Sequence, residues 1–169
     1  GISWDYFFGF GKRSKLIDII EDRDLWRFSI DGSREVLLVL DSLEKKFEVW
    51  DDFNDEISHE NSLSNPNLGY EKMRGIGENI LRYQNLIISQ ICSNYSVLKI
   101  LNKKVAVVNS PVFQSEIGNY LVSDLKFELA AVYYEKKGLY IFSLRSKKEG
   151  VDCSEIANEF GGGGHHSAA

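Results

Sequence analysis

Cysteine is nearly absent from this 169-residue chain, which holds only Cys92 and Cys153. The two are far apart and stand at no metal-type spacing. They read as reduced thiols of a cytoplasmic protein rather than as a disulfide framework or a thiolate metal site. No apolar run approaches the roughly 18 residues of a membrane-spanning helix, and the N-terminus lacks the basic-then-apolar order of a secretory signal. Positive charge is also in short supply. Lys and Arg number 20 against 25 Asp and Glu, a formal net charge of −5 at pH 7. A protein that coats long nucleic acid needs clustered Lys and Arg to neutralise phosphates, so that class is disfavoured. A short anionic ligand held by a few groups is still compatible. No internal repeat is visible. What the chain does hold is a 43% hydrophobic and 12% aromatic content, enough for a packed core and unlike a disordered segment. Its length fits one domain or one and a half.

Periodicity organises the rest. Residues 3–9 are a short aromatic stretch ending at a glycine, and residues 14–28 read as a helix running into a charged loop. Residues 33–43 read as a second helix with Ser33 as its cap. The polar, acidic stretch from Asp51 to Asn67 reads as a loop or linker, with His59 solvated within it. Residues 68–97 carry the strongest helical period, through Met73, Ile76, Ile80, Tyr83, Ile87, Ile91 and Tyr95. Gly75 and Gly77 weaken its first turns. Val105–Val108 reads as a short buried strand and Phe113–Leu121 as a short helix. Phe127–Tyr134 and Leu139–Ser146 read as strands joined by a Glu135-Lys136-Lys137-Gly138 turn. Asp152 and Glu155 stand at capping-box spacing before an apolar stripe of Cys153, Ile156, Ala157 and Phe160, which Gly161 stops. The fold class expected is α/β, with a small mixed-sheet C-terminal domain after a long connecting helix.

Chemistry concentrates in the tail, Phe160-Gly161-Gly162-Gly163-Gly164-His165-His166-Ser167-Ala168-Ala169. Bare backbone beside imidazoles suits an anion, because consecutive N–H groups can point at it. A flexible linker is the competing reading of any glycine run. Arg145 ends one face of the strand Leu139–Ser146. It is either a solvated strand end or a guanidinium turned toward the glycine corner, where it would clamp a phosphate. Asp22 and Asp24 offer two carboxylate oxygen donors of the kind Mg²⁺ or Mn²⁺ takes, or else an exposed charged turn paired with Arg23 and Arg27. His165 and His166 lack zinc-type partners, and Ser33, Ser115 and Ser143 lack a nucleophile-elbow context.

Three stretches in order carry a family resemblance: Ser143-Leu-Arg-Ser146, Val151-Asp-Cys-Ser-Glu-Ile-Ala157, and Phe160-Gly-Gly-Gly-Gly-His-His-Ser-Ala-Ala169. Together, within residues 127–169, they resemble the C-terminal substrate domain of the DHH phosphoesterases. That family includes exopolyphosphatases, oligoribonucleases, RecJ-type exonucleases and cyclic-dinucleotide phosphodiesterases. Ile19-Ile20-Glu21-Asp22 is similar to the end of the family's catalytic domain, which favours Asp22 over Asp24 as a metal ligand. The resemblance implies residues 1–66 as the end of an incomplete catalytic domain, 67–98 as a connecting helix and 99–169 as the phosphate-binding domain. It implies hydrolysis of a phosphoester or phosphoanhydride with Mn²⁺ or Mg²⁺ in the full-length protein, neither bound here. Asp22 would be one metal ligand. Arg145, Gly162, Gly163, Gly164 and His165 would hold the substrate phosphate, with His166 outside the family's minimal pattern. The expected partner is a phosphate-bearing substrate such as polyphosphate, a short oligonucleotide or a nucleotide. A homodimer is left open, and no membrane is expected. The family's Asp-x-Asp and Asp-His-His motifs are absent, so no catalytic set is complete and this chain alone is expected to be inactive. The alternative is a non-catalytic phosphate or nucleic-acid binding module, since DHH-associated domains also occur outside hydrolases, as in alanyl-tRNA synthetase.

Overall fold

Leu16 and Ile19 bury one side of helix α2 (Lys15–Asp24), and Val36, Leu37, Val39 and Leu40 do the same for α3 (Ser33–Ser42). A short α1 (Ile2–Phe8) precedes them. The computed structural model describes residues 1–9, 11, 13–58 and 67–169. The chain divides into two compact units, residues 1–84 and 85–169. The first is helical throughout its described secondary structure. Its core joins the α2 and α3 side chains to Phe53 and Ile57 of α4 (Phe47–Ser58) and to Tyr70 of α5 (Leu68–Cys92).

Two expectations are corrected in this unit. Residues 51–58 are helix rather than loop. Trp50, Phe53 and Ile57 recur at steps of three and four among acidic neighbours, and that stripe packs on the core. His59 lies outside the described residues. Ser33 opens α3 but does not cap it; Gly32 holds the cap position in a left-handed conformation, and the Ser33 hydroxyl is engaged elsewhere. α5 runs unbroken through both of its early glycines. A methyl group on Gly77 would lie 2.0 Å from the Glu35 carbonyl oxygen, so glycine is what lets α5 approach the start of α3.

The second unit holds a four-stranded mixed sheet. β1 (Ser96–Ile100) pairs antiparallel with β2 (Lys103–Asn109), β2 pairs parallel with β3 (Leu129–Lys136), and β3 pairs antiparallel with β4 (Leu139–Ser146). This is the α/β class with a small mixed-sheet unit. The central strands are continuous apolar runs because both of their faces are covered. Ala106, Val108, Ala130 and Val132 pack against Ile88 and Cys92 of α5, Ile117 of α6 (Gln114–Asn119), and Leu121 and Val122 of the π-helical turn that follows. Val105, Val107, Leu129, Ala131 and Leu144 pack on the other face with Cys153 and Ile156 of α7 (Cys153–Glu159). The expected β3–β4 hairpin is present. Its two loop residues, Lys137 and Gly138, have φ of 54° and 80°, the left-handed pair that matches strand twist. The helical expectation for residues 93–97 is corrected: α5 stops at Cys92, and Val97 and Leu98 pair with Ala106 and Val105 instead. Phe160 is 71% exposed and so falls outside the α7 core stripe.

The two α5 glycines give opposite expectations. Gly75→Ala adds a methyl with nothing within 4 Å and is expected to raise stability by about 0.5–1 kcal/mol through helix propensity. Gly77→Ala must displace the Glu35 backbone and is expected to lower it. Urea denaturation of both variants separates close approach from propensity. Equal effects would remove the packing role of Gly77.

Candidate functional site

Local hydrogen bonding fixes the tail. The Asp152 carboxylate accepts from the amides of Ser154 (2.8 Å) and Glu155 (3.3 Å), capping α7 as its spacing suggests. After α7 the amides of Gly161 and Gly162 donate to the carbonyls of Asn158 (3.1 Å) and Ala157 (2.8 Å). The Gly162 N–H is therefore committed to closing the helix. Among the described residues the amides of Gly163 and Gly164 have no partner. The chain then folds through a tight turn, His165 N–H to Ala168 O (2.7 Å) and Ala168 N–H to His165 O (3.1 Å). It comes to lie antiparallel along β4. Leu144 N–H donates to Ala169 O (2.7 Å), Ser146 N–H to Ser167 O (3.2 Å), and Cys153 N–H to His166 O (2.7 Å). A methyl at Gly164 would meet Ala169 Cα at 2.4 Å, so this return path needs glycine there.

The register of these pairs determines what meets what. Arg145 bridges Ala168, and Ala168 bridges His165, both antiparallel. Directly opposed residues share a face of a sheet, so Arg145, Ala168 and His165 form one row. The outer two Cα atoms are about 10 Å apart, one narrow and one wide antiparallel pair, with the alanine methyl between them. Arg145 lies on the face covered by α6. Its stem crosses Gly118, where an added Cβ would sit 2.5 Å from Arg145 Cγ. Its guanidinium donates through Nη2 to Ser115 Oγ (2.8 Å) and through Nη1 to Leu144 O (2.8 Å). That carbonyl also accepts from Ala169 N–H, so it points toward the tail and draws the guanidinium to the same side. Of the five N–H donors of a guanidinium, these bonds use two. Burial depresses its pKa, while Cys153 and Glu116 act the other way; an arginine remains charged nonetheless. The bland reading of Arg145 as a solvated strand end does not describe this half-buried, anchored group.

The other candidates stand apart from this row. His166 is placed to lower the pKa of Asp152, behind the Ser154 hydrogen bond and other larger influences. Cys153 and Cys92 are free and buried, and burial raises both thiol pKa values, Cys92 to about 11. Neither is a nucleophile at neutral pH. Ser115 and Gly118 carried no signal on their own. Only the packing of Arg145 against α6, 27 to 30 positions earlier in the chain, gives them a role, as rest and runway for the arginine.

Asp22 belongs to the first unit and is 4% exposed. Its Oδ1 accepts from Ser29 N–H (2.9 Å) and Ser29 Oγ (2.7 Å), and its Oδ2 from Ile30 N–H (3.1 Å) and Ser33 Oγ (2.9 Å). Burial alone would raise the carboxyl, but the four donors outweigh it and hold the pKa at about 2. These bonds also fix a loop in which Trp26 and Phe28 have φ of 52° and 47°, a strained region for bulky side chains. A metal ligand needs lone pairs free for the cation. Both oxygens of Asp22 already serve four hydrogen donors, and no group of three His, Cys, Asp or Glu among the described residues is arranged to hold a metal. The residues present do not fit the metal pair that the family resemblance implied.

Comparison with known proteins adds the following. No family model matches the chain. An uncharacterized protein of Acanthamoeba polyphaga mimivirus is 32% identical over 178 residues, an alignment covering 100% of this chain and 39% of that protein. The chain thus spans well under half the length of the curated relative it matches. Among solved structures, an uncharacterized protein from Helicobacter pylori G27 is similar with a TM-score of 0.37 at 16% identity, over 90% of this chain and 52% of that one. A pGpG-specific phosphodiesterase from Vibrio cholerae gives a TM-score of 0.37 at 12% identity, over 99% of this chain and 64% of that one. Likenesses of this size leave the chemistry to the chain's own residues. No helix among the described residues is long and apolar enough to cross a membrane.

The depressed pKa of Asp22 fixes the sign of a pH effect. A carboxylate held below its ordinary value, roughly 3.9, stabilises fully above that value, and the contribution is lost as pH falls toward about 2. Asp22→Asn is expected to lower the melting temperature near neutral pH, with the gap to wild type closing as the solution is acidified. Thermal unfolding followed across acid pH measures this. A gap independent of pH would mean the charge is not what holds the loop.

Proposed function

We propose that residues 85–169 form a phosphate-holding module that serves a phosphohydrolase acting on phosphoester or phosphoanhydride bonds. The observation that carries this is the row Arg145–Ala168–His165. Arg145, with spare guanidinium donors, and His165 flank the small, apolar Ala168 in that row, which supports the reading. The unpartnered amides of Gly163 and Gly164, immediately before His165, add donors of the kind that complement phosphate oxygens. Gly162 supports the loop by closing α7 rather than by donating to the ligand. The family likeness of the tail agrees with this assignment. Expected ligands are polyphosphate, a short oligonucleotide or a nucleotide.

Bond cleavage is not assigned to any residue of this chain. The family it resembles would draw Lewis-acid chemistry from Mn²⁺ or Mg²⁺, but Asp22 is committed to Ser29, Ile30 and Ser33. The saturated state of Asp22 favours a second reading, a module that binds phosphate without hydrolysing it.

Charge-assisted hydrogen bonds are worth roughly 1.5–3 kcal/mol each. Arg145→Ala is therefore expected to weaken binding of a short oligonucleotide or of tripolyphosphate by about ten- to a hundredfold, and Arg145→Lys by less, since the charge remains and the fork is lost. Isothermal titration calorimetry on the folded variants measures this. Unchanged affinity in Arg145→Ala would remove the arginine from the site.

A further inference from the structure

A pocket opens at the end of the sheet where β2 and β3 begin and β4 ends. The strand register puts Val105 beside Leu129 and Leu129 beside Ser146. Continuing it outward sets Lys103 beside Phe127 and Lys147 beside Glu128, in two successive rows at one end of three neighbouring strands. Lys126, held at a positive φ of 63°, adds a third ammonium. The turn closed by Gly150 N–H on Lys147 O (2.9 Å) shapes the outer wall. These residues line an open pocket of about 320 Å³.

Charge sets this pocket apart from its surroundings. Lys103, Lys126 and Lys147 make no ion pair among the described residues. Lys126 donates to the Ser123 carbonyl, which leaves its charge uncompensated. Three lysines and one glutamate, Glu128, line it, a formal surplus of two positive charges in a chain whose net charge is −5. A concave site of one sign concentrates its counter-ion. Ammonium groups are compact point charges with rotatable donors, suited to the tetrahedral oxygens of phosphate rather than to planar bidentate recognition. The surplus matches a phosphate monoester or inorganic phosphate, which carries about −1.5 to −2 at pH 7, better than a singly charged phosphodiester.

We propose that the pocket of Lys103, Lys126 and Lys147 binds a doubly charged phosphate group, either free phosphate or the terminal phosphate of a nucleotide. It is separate from the Arg145 row and does not depend on it. Arg145 and Lys147 are nonetheless only two residues apart at one end of β4, about 6.6 Å along an extended strand. One ligand bearing two phosphates could therefore occupy both sites.

Backbone amide resonances of the 169-residue chain, followed during titration with inorganic phosphate, adenosine monophosphate and adenosine, test this. Phosphate and the nucleotide are expected to shift Phe127, Glu128 and Gly150. In the Lys103→Gln/Lys147→Gln variant the affinity read from those shifts should fall about tenfold or more, while shifts at Gly163 and Gly164 persist. In Arg145→Ala the reverse is expected. Tighter binding of the nucleotide identifies a terminal phosphate as the ligand, and equal or tighter binding of inorganic phosphate identifies the free ion. The proposal is overturned if the pocket amides do not move, if adenosine moves them equally, if the double variant leaves their affinity intact, or if Arg145→Ala abolishes both sets of shifts together.

Discussion

The antiparallel pairing of residues 167–169 with the end of β4 is the constraint on which the C-terminal unit depends. Its hydrogen bonds, Leu144 to Ala169 and Ser146 to Ser167, fix the register that brings Arg145 opposite Ala168. The bond from Cys153 N–H to His166 O ties the first turn of α7 to the same segment. A slip of one residue would send His165 to the other face of the sheet. Glycine at 164 makes the return geometrically accessible, because the chain passes over its own backbone at that point. The glycine run is thus more than a linker. Its first half ends a helix and its last residue permits a crossing.

The two units handle isolated charge in opposite ways. In the first, a buried carboxylate is saturated by two amides and two hydroxyls, and the charge organises a strained loop. In the second, a half-buried guanidinium is anchored by two acceptors and keeps donors in reserve. A saturated charge is structural, because a new ligand must displace bonds already made. An unsaturated one keeps donors that a ligand can take without displacing existing bonds, which is the basis of the proposed phosphate site. This contrast moves the chemical interest from Asp22 to Arg145.

Local signals carried the C-terminal unit well. The hairpin turn, the alternation in β4 and the Asp152 cap each depend on residues close in sequence. The parallel pairing of β2 with β3 and the covering of both faces depend on distant segments, and no local period announces them. β1 was hidden because Tyr95 extended a helical period that the Ser93–Asn94 turn breaks. α4 was hidden because two buried residues, Phe53 and Ile57, and a partly buried Trp50 were diluted by acids. At the site, the sequence showed that an arginine ending an apolar strand needs partners, but not that Ser115 and Gly118 supply them. Ser29 and Ser33 as donors to Asp22 were equally illegible, since a serine's role depends on what the fold brings within hydrogen-bonding distance.

A double-mutant cycle on Arg145 and His165 addresses the central claim most directly, with binding of a short oligonucleotide as the readout. Groups that grip the same phosphate are not independent, so the effects of Arg145→Ala and His165→Ala should depart from additivity by about 0.5 kcal/mol or more. Strict additivity, with each substitution acting regardless of the other, would contradict a shared anion site across the Ala168 floor.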